Sequence, residues 1–252
     1  MDKLTMKKLP NAPLQEVLFE IYWDLDYNAN GFPFDNDFGL AKGKFSALIE
    51  NNFPFAEQLL PENITIPQQV ALRFWTAEKN YPVIQIGHGV LTVNDTEKNY
   101  IWEDNYKPLI LETIDFLQKS YKKVLKYNRL RLKYIDAVDI SDDEYANVKV
   151  FIKENLQVSL ENTFEIADLA KDIQIGQSFK LADNSNFSLT ISTGFNQQKQ
   201  QYAVVWSLEV DKSGDFSQDE ITDWLEFAHS KTSDTFKNML NPTFYDSFTS
   251  RN

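Results

Sequence analysis

IQIGHGVLTV, residues 84–93, sets two alternating apolar runs on either side of Gly87-His88-Gly89. Alternation of this kind reads as strand, and a two-residue linker His88-Gly89 suits a tight hairpin turn with positive φ at Gly89. A histidine between two glycines also invites a catalytic reading. The chain has only two histidines, and the other, His229, lies far away in sequence. The turn is the better reading. The same four letters open IQIGQSFKLA, residues 173–182, where GQS stands in the echoing place without a histidine. Chemistry that needed His88 would then not be shared by the two stretches.

Working outward, APLQEVLFEIYW alternates with Val17, Phe19, Ile21 and Trp23 on one face, a strand from about Gln15 to Trp23. YNANGFPFDND is a loop by composition. FGLAKGKFSALI places Leu40, Ala41, Phe45, Leu48 and Ile49 at helical spacing. VALRFWTA, YPVIQIG and VLTVN read as three strands. An amphipathic helix from Asn105 to Lys126 carries a stripe that includes Tyr106, Ile110, Thr113, Leu117, Tyr121, Val124 and Leu125. The strand NRLRLKYIDAVDI follows. Ser141 and Glu144 form a capping box before a helix with Tyr145, Val148, Phe151, Ile152 and Leu156 on its buried side. After a loop around NTFEIADLA come three more strands. Ser217 and Glu220 form a second capping box for a last helix, with Ile221, Trp224, Leu225, Ala228, Thr232, Phe236 and Met239 in its stripe, and Asn241-Pro242 stops it.

The order β-α-β-β-β-α therefore occurs twice. The expected fold class is α+β, with two βαβββα repeats over residues 1–127 and 128–252. Each repeat forms a largely antiparallel sheet with a long helix against one face. The halves pack intimately and can join edge to edge into one continuous curved sheet, which removes two exposed edges. The arrangement resembles duplicated saddle-like folds such as the TATA-binding protein, a likeness that says nothing of function.

The 252 residues are 42% hydrophobic and include 19 Phe, 11 Tyr and 5 Trp, ample for a sizeable core. There is no cysteine, so disulfides and thiolate metal sites are excluded. Neither a zinc site nor a Cys-His pair can be assembled, and no nucleophile-elbow, dinucleotide or P-loop glycine pattern occurs. We expect no cofactor and no metal. No apolar run approaches a membrane span, and the first residues lack the apolar core of a signal peptide, so a soluble cytoplasmic protein is expected. The net charge of −12 opposes binding to a phosphate backbone.

Four local constellations remain. Asp24, Asp26 and Asn28 imitate the start of a calcium loop, but Gly31 falls late and Asp35 stands where a bidentate Glu belongs. Asp136 and Asp139 close a strand near Asp142 and Asp143. An acid-base pair needs two different environments, whereas the helix-start acids are explained by capping and the helix dipole. Arg129, Arg131 and Lys133 share a strand face at about 7 Å spacing. They could receive a phosphate, a nucleic-acid strand or an acidic partner, or pair with the chain's own acids. Arg73 beside Phe74 and Trp75 is the residue type of interface hot spots.

LPNAPLQEVLFEIYW, with RFW, VIQIGHGVLTVN, YIWEDNYKPLI and LRLKYIDAVDI, resembles a sporadically distributed bacterial family of about this length, known by a Pro-Leu-x-Glu-Val motif near the N-terminus. The likeness runs through most of the chain, clearest from Leu9 to Ile140. Where the family often has Arg, this chain has Tyr22. The resemblance implies no activity and no catalytic residue. Patchy occurrence implies accessory genes such as those of defence islands. The leading expectation is a non-enzymatic binding or adaptor protein that meets another protein, an accessory or sensor component of a bacterial defence system. A small-molecule or nucleotide binder or hydrolase stands second. Nucleic-acid binding through the basic strand ranks last.

Overall fold

A computed structural model describes residues 8–61, 64–163 and 172–250. The first seven residues and most of NTFEIADLA lie outside that set. Eleven strands, six α-helices and one short π-helix (Trp102–Tyr106) are present among the described residues. They are β1 (Leu14–Trp23), β2 (Asp26–Tyr27), β3 (Pro33–Phe34), α1 (Phe38–Ile49), β4 (Phe55–Gln58), β5 (Val70–Ala77), β6 (Asn80–Gly87), β7 (Val90–Asp95), α2 (Lys107–Ser120) and β8 (Tyr127–Ile140). The chain continues through α3 (Asp142–Ala146), α4 (Val148–Leu156), β9 (Gln174–Lys180), β10 (Asn186–Asn196), β11 (Gln201–Phe216), α5 (Gln218–Met239) and α6 (Pro242–Thr249). The fold is α+β. Nine strands form one open antiparallel sheet in the order β4-β5-β6-β7-β1-β8-β11-β10-β9. β2 and β3 make a separate small hairpin.

The chain divides into two compact units whose boundaries fall within strands β1, β8 and β11 and helix α5. One comprises residues 16–132 and 211–227. Its core is a straight row across four strands: Phe74 pairs with Ile84, Ile84 with Val93, and Val93 with Phe19, all at most 2% exposed. Phe45 of α1 meets Phe74 edge-on at 5.9 Å, and the Tyr106 hydroxyl donates to the Val93 carbonyl at 2.7 Å. α1 and α2 therefore cover this face, because strand alternation puts every apolar residue of the row on it. The opposite face carries the next register row, Glu57-Arg73-Gln85-Thr92-Glu20.

The other unit comprises residues 1–15, 133–210 and 228–252. Val204, Trp206 and Leu208 of β11 are buried with Ile191 of β10 and with Ile152 and Leu156 of α4. Trp206 stacks on Phe236 of α5 at 6.5 Å. Both capping boxes form: Ser141 and Glu144 exchange side-chain and backbone bonds, and so do Ser217 and Glu220.

Four local expectations fail, each for a physical reason. The helix expected to reach Lys126 ends at Ser120. Tyr121 turns to extended backbone with ψ 149, which lets Tyr121 and Leu125 stay buried while Val124 is 83% exposed. Leu40 and Leu48 of α1 face outward, because Phe38, Ala41, Phe45 and Ile49 already fill the inward stripe. The helix after Ser141 is broken at Asn147 into α3 and α4. Asn241-Pro242 stops α5 as expected, and the Asn241 side chain also caps α6, with Pro242 in its first turn. The second IQIG lies within and just before β9, and Gly176-Gln177-Ser178 is mid-strand, paired with β10. It does not occupy the place of the hairpin turn. The two IQIG stretches therefore lie in different strand environments.

Candidate functional site

The His88-Gly89 turn closes the β6–β7 hairpin with Gly89 at φ +79. A Cβ on Gly87 would come within 1.9 Å of the Gln69 carbonyl, so Gly87 is required by close backbone approach, whereas Gly89 is favoured by its positive φ. His88 does more than link strands. Its ring lies 4.2 Å from Phe38, and its Nδ1 accepts from the Asp35 backbone N–H at 3.4 Å. Burial lowers its pKa, opposed by the charge of Asp35 and assisted by that of Lys42. Because folding depresses this pKa, the stabilisation is full above the ordinary imidazole value and is lost as pH falls below it. His88→Ala is expected to cost about 1–2 kcal/mol, the scale of one hydrogen bond plus an aromatic contact, read as a shift in urea midpoint.

Asp35 itself is a clamp. One carboxylate oxygen accepts from Trp23 Nε1 at 3.2 Å and from the Tyr121 hydroxyl at 2.5 Å, and the other accepts from the Asp37 N–H at 3.1 Å. Burial, then the charge of Asp35, pushes the Tyr121 hydroxyl well above the phenol range. The carboxylate is consumed by these bonds, so it orients no imidazole for catalysis. The other acids of the calcium-like stretch also go separate ways. Asp24 accepts from Asn128, Asp26 pairs with Lys123, and the Asn28 side chain caps its own turn. No metal-holding group of three ligands occurs among the described residues.

Asp136 and Asp139 do sit in different environments, but on opposite faces of β8 as their odd spacing requires. Asp139 takes hydrogen bonds from Lys199 and Asn196, and the Lys199 bond holds its carboxyl below the usual range. Asp136 is 4% exposed, and burial alone pushes its carboxyl up to about 8. They cannot share a substrate. Asp136 has a consequence for stability instead. Its folded pKa lies above the unfolded value of 3.8, so the folded state holds the proton longer. Its cost is absent below about pH 4 and grows until the carboxyl ionises in the fold near pH 8. Asp136→Asn is expected to remove this fall in thermal stability between pH 4 and 8, while the parent loses stability across it. An unchanged pH profile in the variant would contradict the assignment.

The remaining site residues lie on the open face of the sheet. Arg73 donates to Gln85 at 2.9 Å, pairs with Glu57 at 3.6 Å and lies 5.4 Å over the Trp75 ring. Gln85 passes the chain on to Thr92 at 2.9 Å, Thr92 to Asn94 at 3.0 Å, and Asn94 to Glu16 at 2.8 Å. Tyr81 donates to the same Glu16 oxygen and meets Trp75 edge-on at 5.9 Å. Further along, Arg131 donates to Glu20 at 2.9 Å, and Arg129 donates to Asp211 at 2.6 Å and lies over the Tyr22 ring. Burial and then the Glu20 charge raise the Tyr22 pKa to about 12. On its own unit, Lys133 approaches Glu209 at 3.9 Å.

The three cations expected to make a basic stripe are thus each matched by an acid on a neighbouring strand. Pairing with the chain's own acids is one of the readings the sequence offers, but which acids these are is not legible there, because Glu20 and Asp211 are 111 and 82 residues from their partners. It also missed Phe55. β4 is too short to announce itself, yet Phe55 pairs with Trp75 in register and is 46% exposed. Arg73, Trp75 and Phe55 come together, but Trp75, expected at the surface, is only 9% exposed, because Arg73 lies over its ring and Tyr81 meets it edge-on. Arg129 and Arg131 belong to a separate part of the same face. No helix among the described residues is long and apolar enough to cross a membrane. No protein-family model matches the chain, and no curated protein is significantly similar to it.

Proposed function

We propose that the chain is a non-enzymatic binding or adaptor protein, and that the Phe55–Arg73–Trp75 corner of the open sheet face is where it meets another protein. The observation that carries the reading is an exposed phenylalanine in register with a tryptophan whose ring is covered by an arginine. Arg and aromatic side chains dominate interface energetics. Here they are fixed in place before binding by Gln85, Glu57 and Tyr81, which reduces the ordering cost of association. The matched charges of Arg129, Arg131 and Lys133 support a protein partner over a phosphate backbone, which would have to displace Asp211, Glu20 and Glu209. The proposal extends to a soluble cytoplasmic accessory or sensor role in a bacterial defence system, on the strength of the family resemblance.

The test is affinity capture with the full tagged chain, followed by purification of the candidate complex. The parent is expected to hold a defined partner through size exclusion. Phe55→Ser and Arg73→Ala should each weaken it by about 30-fold or more, the effect of a hot-spot residue, with the melting temperature little changed. If the same proteins are retained by parent and variants alike, this corner is not the interface.

A further inference from the structure

QIGQSFK, residues 174–180, is β9, an outer strand of the sheet with β10 on one side only. Two bracketing bonds fix its hydrogen-bond phase. The Thr193 N–H donates to the Ile173 carbonyl at 3.0 Å, and the Leu181 N–H donates to the Ser185 carbonyl at 2.8 Å. Both bonds keep the register of the ladder between them. Bonded pairs alternate along an antiparallel ladder, so Ile175, Gln177 and Phe179 turn their backbone groups toward β10. The N–H and C=O groups of Gln174, Gly176, Ser178 and Lys180 therefore point out of the sheet, and they have no backbone partner among the described residues.

Natural sheets blunt such edges with charge, proline, bulges or short length. β4, the other outer strand, is four residues long, carries Glu57 and lies between Pro54 and Pro61. β9 has seven residues, no proline and an unbroken register. Its one charge, Lys180, is drawn back to the Asn184 carbonyl of its own hairpin turn at 2.5 Å.

The side chains add a second observation. Ile175, Gln177 and Phe179 lie in register with Ile191, Leu189 and Phe187, which are buried. The Phe179 ring is 6.1 Å from Phe187 yet 49% exposed. The apolar layer of this unit thus reaches the edge half covered.

The strand is also complementary to itself. Set antiparallel to a second copy with Gln177 facing Gln177, Gly176 faces Ser178, Gln174 faces Lys180, and every outward N–H and C=O gains a partner. Ile175 then stands across from Phe179 of the second copy at the close spacing of about 4.5 Å between Cα atoms. The row Ile191–Ile175 continues into Phe179–Phe187 of that copy, and no like charges are opposed. A register shifted by two residues leaves an outward residue of each copy unpaired and breaks the Ile175–Phe179 pair.

We propose that the chain forms a twofold symmetric dimer through β9, its occupant a second copy of the same chain. The site is separate from the Phe55–Arg73–Trp75 corner and stands whether or not that reading does. Pairing one strand from each copy buries less than the standard interface of about 1,600 Å², so the dimer is expected to exchange with monomer at micromolar concentration.

Sedimentation equilibrium of the full chain measures the association. Gln177→Lys opposes two ammonium groups across the axis, and Gln177→Glu opposes two carboxylates. Each variant alone should dimerise about fivefold more weakly than the parent, the cost of like charges directly opposite. Its melting temperature in dilute solution should not move, because Gln177 is exposed. An equimolar mixture of the two variants should recover the pairing, as only a register that faces residue 177 with itself requires. Amide exchange in the parent tests the edge without any substitution: the Gly176 and Ser178 N–H groups should slow as concentration rises. The proposal is overturned if the parent stays monomeric at millimolar concentration, whatever other strand docks there, or if those two amides exchange alike at all concentrations. It is also overturned if both variants associate as the parent does, which would put the dimer on another face.

Discussion

Asp35→Ala is expected to lower the free energy of unfolding by about 3–5 kcal/mol, the cost of breaking a buried polar network by removing its centre. The side chain is 5% exposed and ties three segments together: Trp23 at the end of β1, the Asp37 N–H before α1, and Tyr121 after α2. Removing it leaves the Trp23 indole N–H and the Tyr121 hydroxyl without an acceptor in a buried setting, and each such loss costs about 1–3 kcal/mol. Equilibrium urea unfolding measures the effect. Tyr121→Phe alone should cost about 1 kcal/mol, and the double variant should be less destabilised than the sum, because the orphaned hydroxyl is gone. Additive losses would show that Asp35 and Tyr121 act independently, contrary to the 2.5 Å contact.

The clamp also shows where sequence reading stops. Alternation in β1, β5, β6 and β7 was legible because a half-buried strand must place apolar residues at every second position, and the row Phe74-Ile84-Val93-Phe19 obeys that rule. Capping boxes were legible because their partners are three residues apart. Asp35 was not, since its partners Trp23 and Tyr121 are 12 and 86 residues away and a buried acid looks in sequence like any loop aspartate. The same distance hid the acids that face Arg129, Arg131 and Lys133. Leu40, Leu48 and Val124 were misread in the other direction: helical spacing says which residues share a face, and only packing decides whether that face is filled already. Of the site, Arg73 and Trp75 were found from their residue types, whereas Phe55 needed the register of a four-residue edge strand.

Trp224→Ala is expected to cost about 3–5 kcal/mol, the range for deleting a large aromatic from a core. Trp224 is 4% exposed, and its helix neighbours Ile221 and Leu225 are fully buried, so truncation removes a large volume from a packed face. Against a typical total of about 5–15 kcal/mol, the change alone can leave the chain partly unfolded at ambient temperature. Leu40→Ala supplies the contrast. It also removes an apolar side chain from a helix, but Leu40 is 69% exposed, and such surface changes stay within about 0.5 kcal/mol. Trp224→Phe keeps most of the volume and should recover over half of the loss. Comparable melting temperatures for Trp224→Ala and Leu40→Ala would mean that α5 contributes little to the core, and the packing of its inner stripe would have to be redrawn.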